Sequence, residues 1–197
     1  MNKRGKNKEK KRLAILEAAM AVFAQKGYAA ANISRIAQEA AVGKGTIYEY
    51  YRSKDALFFA VFEWYVERIA SGSTIEISLI GGNEARRLEA LLDAIFQSVY
   101  SQLDTFSLFF EFWAAAAHPA MRDQFKHALL SMYDQFRAIF SGLIAEGKAS
   151  GAFVPEVDEH AMASGIVGAL DGMMLQAWMD RNFDAKAATA AYFNTMI

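Results

Sequence analysis

Cysteine is absent from the 197 residues, which excludes disulfides, thiolate metal sites and thiol nucleophiles together. Proline occurs only twice, at Pro119 and Pro155, so little interrupts long helices. The three histidines, His118, His127 and His160, have no carboxylate or serine at a spacing that composes a triad or a zinc site. An enzyme is therefore not expected, and neither is a cofactor. Long apolar runs are missing too: the longest, Phe106 to Ala117, contains Ser107 and Glu111 and falls short of the roughly 18 residues that cross a bilayer. The basic N-terminus leads into an amphipathic pattern rather than an apolar core with a small-residue cleavage site, which points to the cytoplasm and away from secretion or a membrane.

Present instead is the composition of a globular protein, 54% hydrophobic and 22% charged. The net charge of -1 conceals an uneven division. Residues 1–54 hold 12 Lys/Arg against 4 Asp/Glu, a net of +8, while residues 55–197 hold 9 against 18, a net of -9. A basic quarter on an acidic remainder suggests that the first part meets a polyanion.

Apolar residues recur at helical spacing, and the fold class is read as all-α with about nine helices. Residues 1–8 carry Lys3, Arg4, Lys6 and Lys8 with nothing to bury, and are expected to be a disordered basic arm. A first helix is expected over about 9–26, stopped by Gly27, with short helices near 33–40 and 44–50 and a longer one from about 54 to 71. Leu88, Leu91, Leu92, Ile95, Phe96, Val99 and Leu103 form the buried stripe of the fifth. Helices over about 105–117, 119–148 (opened by Pro119), 158–181 and from 184 complete the set. Ser73 to Ile80 alternates like a strand but has no strand to pair with, and is read as a connector. The domains expected are the arm 1–8, a DNA-binding domain 9–54 and a ligand-binding and dimerisation domain 55–197.

Two short helices separated by Ala40-Ala41-Val42-Gly43, the second carrying Lys44, Thr46, Tyr48 and Tyr50, have the layout of a helix-turn-helix whose second helix enters the major groove. Ile15-Leu16-Glu17-Ala18-Ala19, Phe23-Ala24, Gly27-Tyr28, Ile33, Ile36-Ala37, Gly45-Thr46-Ile47-Tyr48, Tyr50-Tyr51 and Ser53-Lys54-Asp55-Ala56-Leu57 follow without a gap. This ordered set resembles the DNA-binding domain of the TetR/AcrR family of transcriptional regulators. Later likenesses are the Asp171-Gly172 step and the loop around Val157-Asp158.

The resemblance implies a homodimeric repressor that binds double-stranded DNA at a palindromic operator and answers to a small-molecule effector. An alternative is control by a protein partner. Side-chain chemistry and the match assign Lys44, Tyr50 and Lys54 to phosphates, and Thr46 and Tyr48 to base edges beside Gly45. Ser34 and Arg35 flank them, and Asn32 caps the second helix and can donate to a phosphate. Tyr48 could alternatively only pack. Two departures fall in the turn: Ala41 stands where the family has glycine, and Gly43 where it has a capping serine.

Other patterns imitate chemistry. Gly142 to Lys148 has phosphate-loop spacing but is followed by Ala149 and preceded by no strand. Glu156, Asp158, Glu159 and His160 suit the first turn of a helix better than a metal. Surplus rings and thioethers are more informative: Trp64, Phe106, Phe109, Phe110, Trp113, Tyr133, Phe136, Met173, Met174 and Trp178 are read together as pocket walls, although each alone could be core. Surplus Trp, Phe and Met in an acidic half favours hydrophobic or cationic ligands over anions. Ala161, Gly165, Gly168 and Gly172 form a stripe of small residues that serves either a dimer interface or packing within the chain.

Overall fold

The computed structural model describes residues 3–72, 82–101 and 105–194. Among them are nine helices and no strand: α1 Lys3–Ala30, α2 Ile33–Glu39, α3 Lys44–Tyr50, α4 Lys54–Gly72, α5 Glu84–Tyr100, α6 Ser107–Ala117, α7 Arg122–Ser150, α8 Glu159–Met179 and α9 Ala185–Asn194. None of these helices is long and apolar enough to cross a membrane. The strand-like connector Ser73 to Ile80 and Leu103 lie outside the described residues.

Three expectations change. α1 begins at Lys3, so the segment expected to be a disordered arm continues the first helix. Extending a helix that the folded body has already nucleated adds one hydrogen bond per residue fixed, and lysine is a good helix former. Pro119 does not open α7; it sits in a turn in which the His118 carbonyl accepts the N–H groups of Met121 at 3.1 Å and Arg122 at 2.8 Å. The first compact unit also runs past residue 54, comprising residues 1–68 and 104–126, and the second comprises 69–103 and 127–197.

The first unit is built on rings. Ile15, Leu16, Ala19 and Phe23 line one face of α1, and all are fully buried. The Phe58 ring from α4 lies 4.9 Å from Phe23, 5.2 Å from Phe112 of α6 and 5.4 Å from Phe125 at the start of α7. Each such ring buries roughly 150–250 Å², which makes this cluster the dominant apolar contribution to the unit.

In the second unit Leu88, Leu91, Leu92, Ile95 and Phe96 of α5 pack with Phe140, Leu143 and Ile144 of α7 and with Ala163, Ile166, Val167 and Leu170 of α8. The end of α7 is closed by Gly151 at φ 79°, after which the Phe153 N–H returns to the Gly147 carbonyl at 3.0 Å. The Phe153 ring then lies on Gly147 so closely that a Cβ there would stand 2.1 Å from it.

Gly142 and Gly147 thus make a matched pair in one helix. Alanine is worth about 1 kcal/mol over glycine in a helix interior. Gly142→Ala meets nothing within 4 Å and should raise the melting temperature by a few degrees. Gly147→Ala overpacks a buried ring at a cost of about 1–3 kcal/mol and should lower it, as calorimetry would record.

Candidate nucleic-acid interface and ligand site

α2 starts at Asn32, whose Oδ1 accepts the Arg35 N–H at 2.8 Å, leaving the amide donors outward. It ends in a closed turn: the Val42 N–H bonds to the Ala37 carbonyl at 3.0 Å and the Ala41 N–H to the Gln38 carbonyl at 3.1 Å. This paired pattern requires a left-handed residue next to the cap, and Ala41 supplies it at φ 52°. α3 then opens at Gly43, which gives no side-chain cap. Ile47 is fully buried and anchors α3, so its opposite face is outward: Lys44, Gly45 and Tyr48 are exposed, Tyr48 to 46%. Thr46 is half-buried, and Ser34 and Arg35 are exposed on α2, with Arg35 paired to Glu39.

Two residues assigned to phosphates have their donors occupied. Lys54 Nζ donates to the carbonyls of Tyr28 at 2.8 Å, Ala29 at 3.3 Å and Ala31 at 3.1 Å, and lies 4.3 Å from the Tyr28 ring centre. An ammonium has three donors, and here all three close the end of α1. Tyr50 donates its hydroxyl to the Lys8 carbonyl at 3.1 Å, tying α3 to α1 and leaving no proton for a phosphate oxygen.

Sequence reasoning missed Arg52 and Glu49. Arg52, in the link after α3, is exposed and has no partner among the described residues. Its guanidinium is unoccupied, whereas the Lys54 ammonium is taken by three carbonyls. Glu49 is exposed on the outward side of α3, where a carboxylate can accept from a cytosine amine.

The end of α1 has a further clamp. Gly27, at φ 72° and ψ 161°, breaks the helix, and a Cβ there would stand 2.8 Å from Oε1 of Glu111 on α6. The other oxygen, Oε2, accepts the Tyr28 N–H at 3.3 Å. The Tyr28 hydroxyl donates to Asp55, and burial first, then that carboxylate, push its pKa up. Ser53 caps α4 by accepting the Ala56 N–H at 3.0 Å. Every residue of Ser53-Lys54-Asp55 thus holds the junction of α1 and α4.

The residues read as pocket walls divide between the two units. In the first, Trp64 is buried with the Arg68 guanidinium 4.8 Å from its ring. Phe106, Phe109, Phe110 and Trp113 follow one another along α6, with ring centres 5.6–6.1 Å apart. In the second, Tyr133, Phe136, Met173 and Met174 are partly buried against its core, and Trp178 is half-buried. Met173 turns away from Met174: its sulfur takes the Thr189 hydroxyl of α9 at 2.6 Å.

The second unit also holds a groove of about 820 Å³ between α5 and α9 that sequence reasoning missed. Asp93 and Lys186 in its lining already pair at 2.8 Å.

Gly142 to Lys148 is α7 helix, with Lys148 Nζ bound to Glu159 at 2.8 Å and to the Val157 carbonyl at 2.6 Å. Asp158 caps α8, accepting the N–H groups of His160 and Ala161 at 3.0 Å each. Among the described residues no cluster of three or more His, Asp or Glu could hold a metal. On α8, Ala161, Gly165 and Gly168 are exposed and Gly172 half-buried, and nothing lies within 4 Å of where a Cβ would stand on any of the three glycines. Among the described residues nothing packs on these glycines. The stripe extends to Gln176 and to Met179, which is 72% exposed, and neither was anticipated.

The turn yields a stability prediction. Ala41→Gly removes a left-handed alanine, worth roughly 1–2 kcal/mol, and Gly43→Ser adds a cap worth a few tenths. Both should raise the melting temperature, Ala41→Gly by more; an unchanged value for Ala41→Gly would show that the turn is not strained.

Two family descriptions match. "Bacterial regulatory proteins, tetR family" covers residues 15–61, and "BetI-type transcriptional repressor, C-terminal" covers residues 84–195. The chain is 25% identical over 168 residues to the HTH-type transcriptional regulator BetI of Yersinia pestis (strain Pestoides F), spanning 85% of this chain and 80% of that one. FadR from Bacillus subtilis, solved in complex with stearoyl-CoA, superposes with a TM-score of 0.74 at 22% identity over 94% of this chain and 97% of its own. A protein from Saccharomonospora viridis, solved in complex with choline, gives a TM-score of 0.73 at 22% identity over 93% of each chain. The second family description alone spans more than half of the residues, and with the helix-turn-helix in front of it the chain belongs to the TetR family of DNA-binding transcriptional regulators.

Proposed function

We propose that this regulator is a homodimeric repressor that holds a palindromic operator in the cytoplasm and is released from it by a small hydrophobic or cationic ligand. The observation that carries the reading is the outward face of α3, where Lys44, Gly45 and Tyr48 stand exposed over a buried Ile47. A seven-residue helix is about 10 Å long and reads only a few base pairs, so a second copy about one helical turn of DNA away must supply the rest of the site. The open stripe on α8, with the exposed Ala187, Ala190 and Ala191 of α9, offers the close helix contact that a two-fold dimer needs.

Ligand control draws support from the aromatic surplus and from relatives solved with an acyl-CoA and with choline. Within the first unit α4 and α6 are the transmitters. α4 carries Lys54 and Asp55 at the end of α1 and Trp64 further along, and α6 carries both the ring row and Glu111. A ligand releases DNA only if it binds the DNA-incompetent arrangement more tightly.

Operator affinity measured across a salt series tests the interface. Lys44→Ala and Arg52→Ala should each flatten the slope by roughly one unit without changing stability, and Tyr48→Ala should also change sequence preference. Lys54→Ala should lower the melting temperature instead, since stranded carbonyls cost about 1–3 kcal/mol. Gly168→Arg should leave the protomer folded, give a monomer by sedimentation and weaken operator binding. Wild-type operator affinity in all of the α3 variants would overturn the interface. Failure of every compound in a hydrophobic and cationic panel to loosen the operator would point to control by a protein partner.

A further inference from the structure

The first 54 residues approach a polyanion and hold only four carboxylates, Glu9, Glu17, Glu39 and Glu49. Glu9 pairs with Arg12 at 2.8 Å on α1, and Glu39 pairs with Arg35 on α2. Glu17 belongs to the exposed side of α1. Glu49 is exposed on α3, and among the described residues it has no partner. The helix does not need it, since alanine, lysine and glutamine are helix formers of equal or better rank.

Helix geometry gives Glu49 the most outward place. At about 100° per residue, Lys44 and Tyr48 stand about 60° and 100° from the buried Ile47, whereas Gly45 and Glu49 each stand about 160° from it. These two, four residues apart, form the line of α3 farthest from the protein. Side chains on a helix lean toward its N-terminus, so Glu49 inclines over the turn that Gly45 occupies. A Cβ at Gly45 would meet nothing within 4 Å, so no contact among the described residues demands a glycine there. What the bare backbone supplies is room for the floor of a groove to come close beside Glu49.

A lone carboxylate at that place is repelled by the phosphates of every duplex. The repulsion is offset only where the groove offers a donor. Two bases present one in the major groove, cytosine through its N4 amine and adenine through N6. Adenine's amine lies beside the N7 acceptor, which opposes a carboxylate, while cytosine's lies beside an apolar C–H. Cytosine is therefore the base that fits.

We propose that Glu49, on the line it shares with Gly45, reads the N4 amine of one cytosine in each half-site and penalises every base pair that lacks a donor there. This rests on the operator-binding reading above and assigns one base of the site to one residue.

The test exposes the full-length protein to a pool of randomised duplexes and reads the sequences retained by wild type, Glu49→Ala and Glu49→Gln. Wild type should enrich one cytosine at symmetric positions of the two half-sites. Glu49→Ala should lose that preference alone, keep the neighbouring bases and bind the best wild-type site about tenfold more weakly. Glu49→Gln should transfer the preference to adenine, whose N7 and N6 suit an amide. Both variants should bind scrambled duplexes severalfold more tightly than wild type, because a negative charge has left the interface, and both should melt where wild type does. Replacing the cytosine by 2-pyrimidinone, which lacks the amine, should weaken wild type more than it weakens Glu49→Ala.

Equal base preferences in wild type and Glu49→Ala would overturn the assignment, and so would a change in affinity that is the same for all duplexes, which is repulsion without readout. Equal losses of the two proteins on the 2-pyrimidinone duplex would do the same. A pool from which wild type enriches nothing would sink the operator reading together with this one. Enriched palindromes whose bases depend on Lys44 or Tyr48 and not on Glu49 would leave the operator reading standing and remove this assignment alone.

Discussion

Where α1 ends, four backbone groups need hydrogen-bond partners that the helix cannot give, and two side chains from elsewhere in the first unit provide them. Lys54 takes the carbonyls of Tyr28, Ala29 and Ala31, and Glu111 takes the Tyr28 N–H. The left-handed break at Gly27 makes room for the carboxylate, and Tyr28 lies under the ammonium. α2 follows only two residues later, so the angle at which the helix-turn-helix leaves α1 is fixed by a charge-assisted cluster. A shift of α4 or α6 pulls on the same few atoms that position α3.

This part of the molecule was the most readable from sequence, because each residue of its motif has a local task. Gly27 must take a positive φ, Ser53 caps α4, and Ile47 must be apolar to seat α3. The assignments that changed share a cause: sequence shows which donor is present but not where it points. Lys54 and Tyr50 have the right chemistry for phosphate and face backbone carbonyls, while Arg52 attracted no attention because it belongs to no motif. Ala41 was legible in the opposite sense. Its mismatch with the turn anticipated the left-handed alanine found there.

The second unit was legible as helices and less so as surfaces. Amphipathic spacing located α5 through its leucines, but α8 is apolar nearly all round, and its sides separate only when neighbours are known. The glycine stripe proved to be a side that nothing among the described residues covers, and the flank bearing Asp171 proved to face α7. Met173 and Met174, read from sequence among the pocket walls, both pack against the same core, and the Met173 sulfur meets the Thr189 hydroxyl of α9.

Phe112 and Phe125 belong to the core of the first unit although they lie 54 and 67 positions after Phe58 in the sequence. A cut between the two family matches, after residue 61 or anywhere before 84, would leave the helix-turn-helix without α6, without its Glu111 clamp and with Phe58 facing solvent. The two compact units of this regulator are therefore interleaved in sequence rather than joined end to end. A chimera that grafts its DNA specificity onto another sensor would have to carry residues 104–126 along with the N-terminal helices, and recombination that respects only the linear order of domains would yield a reader without a floor.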